Sequence, residues 1–174
     1  VVVATDDERI LAAVEKHGGR AVMTRADHAT GTDRLAEVAE KMTGYDLIIN
    51  VQGDEPLIDP AVIDALVEPF LTDENLPMAT VKTLLVDVME IANPNNVKVI
   101  TDCAGNALYF SRARIPYARN AGAKVYKHIG IYAYRRDFLL DCARMEQTPL
   151  ELSESLEQLR VLENGHRIRV IETD

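Results

Sequence analysis

The sequence predicts an α/β fold, a mixed central sheet flanked by helices, and three observations carry that reading. In the first part of the chain, short runs of β-branched and aliphatic residues alternate with segments whose apolar residues recur at helical spacing. After residue 77 the rhythm changes to longer strand-like runs joined by turn signals, which extend or cover the same sheet. Between them, the run Leu47-Ile48-Ile49 reads as a buried strand and leads into Asn50-Val51-Gln52-Gly53-Asp54-Glu55-Pro56. Open α/β sheets bind ligands at such carboxyl ends of strands.

Val1-Val2-Val3 leads into Ala4-Thr5-Asp6-Asp7, a strand followed by a helix start. Ile10, Leu11 and Val14 then mark one helix face, and Gly18-Gly19 stops that helix. Ala21-Val22-Met23 is a short second strand, and a polar loop follows over 24–32. Leu35, Val38, Ala39 and Met42 line the next helix, with Thr30 and Asp33 spaced as a capping box. A strand over 46–51 precedes a helix carrying Ile63, Leu66, Val67 and Phe70, announced by Asp59-Pro60. Residues 78–86 read as a strand, and 97–101 pairs with 108–110 across a turn at 102–106. A strand over 125–135 places Tyr126, His128, Tyr132 and Tyr134 on one face and Ile129 and Ile131 on the other. Alternation therefore points His128 away from the main core. Helices over 138–144 and 150–162 follow, the second closed by Asn164-Gly165, and 167–172 is a last strand. Both ends read as cut, because the chain opens and closes on strand-like runs.

The 174 residues suffice for one domain with a full core, and 47% apolar with 27% charged residues is an ordinary globular balance. Lys and Arg number 19 against 28 Asp and Glu, a net charge of -9. That balance argues against a nucleic-acid or anionic-membrane binder, whose affinity rests on basic contacts to phosphate. No apolar run reaches membrane-span length and no signal peptide opens these residues, so a cytoplasmic location is expected. Cys103 and Cys142 match no metal or redox spacing and are expected as reduced thiols.

Two places concentrate chemistry. In the segment after Ile49, Gly53 offers a ligand close approach to the backbone. Asp54 offers the hard oxygen that Mg²⁺ prefers, and that ion commonly takes one or two protein carboxylates plus substrate phosphates. An acidic turn preceding a capped helix is the equally good ordinary reading. The second place is the stretch 111–136, which holds seven basic residues and no acidic one. Lys124, Lys127 and Arg136 suit a solvated strand edge. Arg112, directly after an apolar strand, suits an anion held by a planar guanidinium. Glu157 and Gln158 flank the seam formed by Leu156, Leu159 and Leu162, and by themselves read as helix-surface polarity.

Five blocks, in order, resemble the 3-deoxy-manno-octulosonate cytidylyltransferase family. They are Thr24-Arg25-Ala26-Asp27-His28 with Thr30-Gly31-Thr32-Asp33-Arg34-Leu35, the Asn50 to Pro56 segment, Tyr109-Phe110-Ser111-Arg112, His128-Ile129-Gly130-Ile131-Tyr132, and Leu156-Glu157-Gln158-Leu159-Arg160. The resemblance implies a Rossmann-like nucleotide-diphospho-sugar transferase fold. It also implies a Mg²⁺-dependent coupling of CTP to the sugar acid Kdo with release of pyrophosphate, serving lipopolysaccharide assembly, by a homodimer. It places Arg25, Thr30, Gly31 and Gln52 around the cytidine and makes Asp54 a Mg²⁺ ligand. It places Arg112, His128, Tyr132, Glu157 and Gln158 around the sugar acid, with Asp54 and Arg112 as the expected catalytic pair. The family opens with a basic glycine-containing loop that grips the triphosphate and ends with a Val-Asp-Thr-Pro-type segment supplying a further metal ligand. Neither motif occurs in residues 1–174, and the loop over 118–127 is shorter than the family's. A single nucleotidyltransferase domain lacking both segments is therefore expected. Two other readings compete with Kdo activation: a cytidylyltransferase for another sugar acid such as a sialic acid, or a non-catalytic module that holds a nucleotide or acidic sugar.

Overall fold

The computed structural model describes residues 1–53 and 58–173. In chain order the elements are β1 (Val3–Thr5), α1 (Glu8–Lys16), β2 (Ala21–Met23), α2 (Gly31–Lys41), β3 (Leu47–Asn50), α3 (Pro60–Thr72), β4 (Met78–Leu85) and α4 (Val88–Ala92). They continue with β5 (Lys98–Thr101), β6 (Ala107–Ser111), β7 (Val125–Arg135), α5 (Arg136–Cys142), α6 (Pro149–Glu154), α7 (Gln158–Glu163) and β8 (Ile168–Thr173). The chain forms two compact units, Val1–Ile48 with Arg136–Arg144 and Ile49–Arg135 with Met145–Asp174.

In the first unit β1 and β2 form a parallel pair, Val3 opposite Ala21 and Thr5 opposite Met23. Asp7 caps α1 by accepting the Arg9 amide at 2.8 Å. The helix ends where Gly18 adopts φ 77°, a conformation that costs glycine nothing, and its amide returns to the Glu15 carbonyl. The predicted capping box of α2 is present: the Thr30 hydroxyl accepts from the Asp33 amide at 3.2 Å, and the Asp33 carboxylate accepts from the Thr30 amide at 3.1 Å. Ala36, Val38 and Ala39 form its buried face. The α5 segment joins this unit through Arg136, whose amide reaches the Asp46 carbonyl and whose Nε reaches that of Ala39.

The second unit is built on a mixed sheet in the order β6-β5-β7-β4-β8, with β3 also paired to β7. β4 is its spine, antiparallel to β7 and parallel to β8. The expected hairpin is present as β5 and β6. Its turn is tied by Asp102, whose carboxylate accepts from the Ala104 and Asn106 amides, while Gly105 takes φ 82°. Asp59 caps α3 through the Ala61 amide at 2.9 Å, and that helix buries Leu66 and Phe70. Leu76, Val81, Val99, Phe110, Ile131, Leu159 and Ile168 complete an apolar core from which solvent is excluded.

Three expectations are corrected. Leu47, Ile48 and Ile49 are half-buried, not buried. A short helix, α4, capped by Asp87, occupies residues that carry no helical periodicity long enough to read. The helix expected over 150–162 is two helices, because Ser155 between them stands at φ 52°. A left-handed residue cannot continue a right-handed helix. At the start of α6 the Glu151 carboxylate accepts the Thr148 amide at 3.2 Å. Cys103 is exposed and Cys142 buried, both as free thiols.

The α6–α7 pair is locked by an ion pair between Arg160 and Glu151, whose side chains are 8% and 4% exposed. Arg160 Nε donates to Glu151 Oε2 at 2.8 Å, and Nη2 donates to Oε1. Removing one member strands the other's charge in a low-dielectric interior, which costs about 3–5 kcal/mol. Arg160→Met is expected to lower the urea unfolding free energy by about that amount, with an unchanged slope against denaturant. A loss below about 1 kcal/mol would show that the pair is solvated.

Candidate active site

The nucleoside residues expected in the first unit sit on the loop between β2 and α2. One carboxylate organises that loop. Glu37 on α2 accepts from the Arg25 amide at 3.0 Å, the His28 Nε2 at 2.5 Å and the Lys41 ammonium at 2.5 Å. Lys41, His28 and the Arg25 amide together hold the Glu37 carboxyl down at about 2. A second tie runs through Arg34, which donates to the Thr24 hydroxyl at 2.6 Å and to Asp6 at 3.0 Å. Arg25 itself forks onto Asp27 and is mostly exposed. The Thr30 hydroxyl serves the helix cap, and Gly31 is the exposed first residue of α2. Nothing local in the sequence marks Glu37, since its loop partners are nine and twelve residues away.

Gln52 and Gly53 follow β3 and are exposed. A Cβ placed on Gly53 meets nothing within 4 Å, so the chain's own packing does not demand glycine there. Asp54 lies outside the described residues. Among the described residues no three metal-ligating side chains come together. One or two carboxylates with phosphate oxygens completing the shell is the donor set suited to Mg²⁺.

The residues expected around the sugar acid all lie in the second unit, where the main departure from sequence alternation occurs. His128 is buried, at 7% exposure, and does not point to solvent. Its β7 carries a bulge: Thr80 of β4 pairs with Tyr132, but Val81 pairs with Ile129, so Gly130 and Ile131 are extra residues. Two extra residues preserve the facing, and His128 and Tyr132 share a side with Thr80 and Lys82. That side is covered. The Phe110 ring meets the imidazole edge-on at 4.9 Å between centroids, and Tyr132 lies 5.4 Å from it. Alternation predicts a wet face only when one face of a sheet is wet, and here both are packed. Burial pushes the His128 imidazole down to about 3, so it is neutral. Burial, and then the Glu157 carboxylate, pushes the Tyr132 phenol up, so its hydroxyl remains a donor.

Arg112 is held as firmly as a side chain can be while keeping donors to spare. Nε donates to the Glu154 carbonyl at 2.7 Å, Nη1 to Pro94 at 3.3 Å and Nη2 to Ser155 at 3.3 Å. A guanidinium has five N–H groups, so two remain for an anion. Glu154 returns the grip, accepting from the Arg112 amide at 2.9 Å and the Ser111 hydroxyl at 2.6 Å. Beneath them Lys98, fully buried, donates to the Arg112 and Asn93 carbonyls at 2.6 and 3.0 Å. Burial lowers the Lys98 ammonium, while Glu154 acts to keep it charged. Glu157 and Gln158 come directly after this junction; Glu157 is exposed, and Gln158 is 5% exposed. Arg112, His128, Tyr132, Glu157 and Gln158 thus belong to one unit. Lys98, Glu154 and Thr80 were not legible, because each acts through partners distant in the chain.

A family model described as Cytidylyltransferase matches residues 1–168. The 3-deoxy-manno-octulosonate cytidylyltransferase of Fusobacterium nucleatum is 56% identical over 99% of this chain and 71% of its own length. That of Geotalea uraniireducens is 55% identical over 100% of this chain and 74% of its own. The chain belongs to the 3-deoxy-manno-octulosonate cytidylyltransferase family. A solved family structure, the CMP:2-keto-3-deoxy-manno-octonic acid synthetase complexed with CTP, superposes with TM-score 0.95 at 48% identity, covering 99% of this chain and 71% of that one. The predicted fold class, a mixed α/β nucleotidyltransferase fold of the nucleotide-diphospho-sugar type, holds for this family member.

Two pH responses follow from these carboxyl and imidazole environments. His128 has a folded value near 3 against an ordinary 6.5, so the unfolded chain takes up its proton first as pH falls. Stability from this group is complete above about 6.5 and declines from there toward 3, by about 2 kcal/mol at pH 5. Urea unfolding at pH 7 and pH 5 should show that decline in the wild type and its loss in His128→Asn; equal slopes in both would show a solvated imidazole. Glu37, depressed from 4.5 to about 2, stabilises above 4.5 and ceases to as pH falls through its folded value. Glu37→Gln should flatten the acid limb between those values, and an unaltered limb would remove Glu37 as the loop's anchor.

Proposed function

We propose that the protein is the enzyme that couples CTP to Kdo, forming CMP-Kdo and pyrophosphate. The observation that carries this is the superposition, over nearly all of the chain, on a synthetase complexed with CTP. In the reaction the anomeric hydroxyl oxygen of Kdo forms a bond to the α-phosphorus of CTP. The bond from that phosphorus to the oxygen bridging to the β-phosphate breaks, pyrophosphate leaves, and the hydroxyl proton is lost. Chemistry of this kind needs positioning and charge neutralisation more than a side-chain nucleophile.

Each half has residues suited to its task. Arg25, Thr30, Gly31 and Gln52 surround the cytidine, with the loop carrying the first of them set by Glu37. Arg112 presents its two remaining N–H groups to the sugar carboxylate, while Tyr132 donates a hydrogen bond and Glu157 and Gln158 bind sugar hydroxyls. Mg²⁺, held by Asp54, would neutralise triphosphate charge when bound. The further reading, supported by the motif blocks, is a cytoplasmic homodimer supplying an activated sugar for lipopolysaccharide assembly. Among the described residues no helix is long and apolar enough to cross a membrane.

Pyrophosphate release with CTP tests the reading. Kdo should be consumed in preference to sialic acid, and the reverse preference would reassign the substrate. Arg112→Lys, which keeps the charge but loses the fork, should raise KM for Kdo about tenfold and leave KM for CTP unchanged. Asp54→Asn should lower kcat on the order of a hundredfold or more with the fold intact. Near-normal turnover by that variant would remove the metal role.

A further inference from the structure

Thr80 is fully buried at the centre of β4, and its hydroxyl touches three groups: the Ile131 carbonyl at 2.8 Å, the Ile129 carbonyl at 3.2 Å and His128 Nε2 at 2.9 Å. A hydroxyl has one proton to give. Carbonyls can only accept, so that proton goes to the bulge, shared between Ile131 and Ile129 with the shorter contact to Ile131. Toward His128 the oxygen is therefore an acceptor, and Nε2 must carry a hydrogen. In a neutral imidazole that leaves Nδ1 as a lone pair. Nδ1 has no hydrogen-bond partner among the described residues. The bulge is what makes this possible, because it brings the Ile129 and Ile131 carbonyls to the same hydroxyl.

We infer that Thr80 is a positioning residue of the sugar site: by giving its proton to the β7 bulge it fixes His128 as the Nε2–H tautomer, so that Nδ1 faces the ligand as a hydrogen-bond acceptor. The ligand group at His128 is then a donor, a hydroxyl of the sugar, and not its carboxylate. The carboxylate falls to Arg112, the one member of the set with cationic N–H groups uncommitted. His128 lies in a basic stretch of sequence, yet its hydrogen-bond geometry calls for a donor as its ligand partner. The ligand part of this inference rests on the function proposed above; the tautomer part does not.

Two measurements on the full chain separate them. The first is the ring-nitrogen NMR spectrum of ¹⁵N-histidine-labelled protein at pH 7, with His128 assigned by loss of its signals in His128→Asn. A pyrrole-type Nε2 and a pyridine-type Nδ1 are expected. An Nδ1–H tautomer or an imidazolium overturns the inference. Thr80→Val should bring the Nδ1–H form into the mixture, and Thr80→Ser, which keeps the hydroxyl, should restore the wild-type pattern; a Thr80→Val spectrum identical to wild type also overturns it. The second measurement is pyrophosphate release, in which Thr80→Val should raise KM for Kdo about tenfold, the value of one hydrogen bond, with KM for CTP unchanged. Wild-type KM for Kdo in that variant overturns the ligand assignment. A wild-type protein with the expected tautomer but no turnover of CTP with Kdo sinks the proposed function and leaves the tautomer standing.

Discussion

Arg112 and Glu154 each hold the other's main chain with a side chain, and much of the second unit's local geometry depends on that interlock. The guanidinium gathers the carbonyls of Pro94, Glu154 and Ser155, while the carboxylate takes the Arg112 amide and the Ser111 hydroxyl. Hydrogen bonds to charged groups contribute about 1.5–3 kcal/mol each, enough to hold Ser155 in a left-handed conformation that costs about 1–2. That one residue ends α6, starts the turn into α7 and sets where Glu157 and Gln158 stand. Lys98 closes the base of the arrangement by binding the Arg112 carbonyl from below. The same side chain that keeps two N–H donors uncommitted is thus also the pin of the local fold.

The loop between β2 and α2 and the face of β4 and β7 differ in their electrostatics. In the loop, the Glu37 carboxylate, 15% exposed, collects His28, Lys41 and the Arg25 amide, while Arg25 pairs with Asp27 in solvent. The Arg25–Asp27 pair is screened by salt. The face of β4 and β7 is a buried polar network: Thr80 with His128, and Lys82 over the Tyr126 ring and 3.6 Å from Glu172. Buried hydrogen bonds such as that between Thr80 and His128 orient their donors and lone pairs in one way. The β4–β7 face is accordingly suited to discriminating between ligands by hydrogen-bond polarity.

The sequence by itself determined which segments are strands and helices wherever the cause was local. The Thr30–Asp33 capping box, the Asp59-Pro60 helix start, the Asp102 turn between β5 and β6 and the span of β7 all appear as expected, because each depends on residues a few positions apart. The motif blocks likewise marked the family before any coordinate was known. Tertiary structure decided the rest. Whether His128 faces water depended on Phe110 arriving from another strand, and the break at Ser155 depended on Arg112, 43 residues earlier in the chain. Lys98, Glu37 and Glu154 take their roles from partners that only folding places around them. Period and capping are properties of neighbours in sequence, whereas burial and hydrogen-bond polarity belong to neighbours in space, and only the folded chain brings those together.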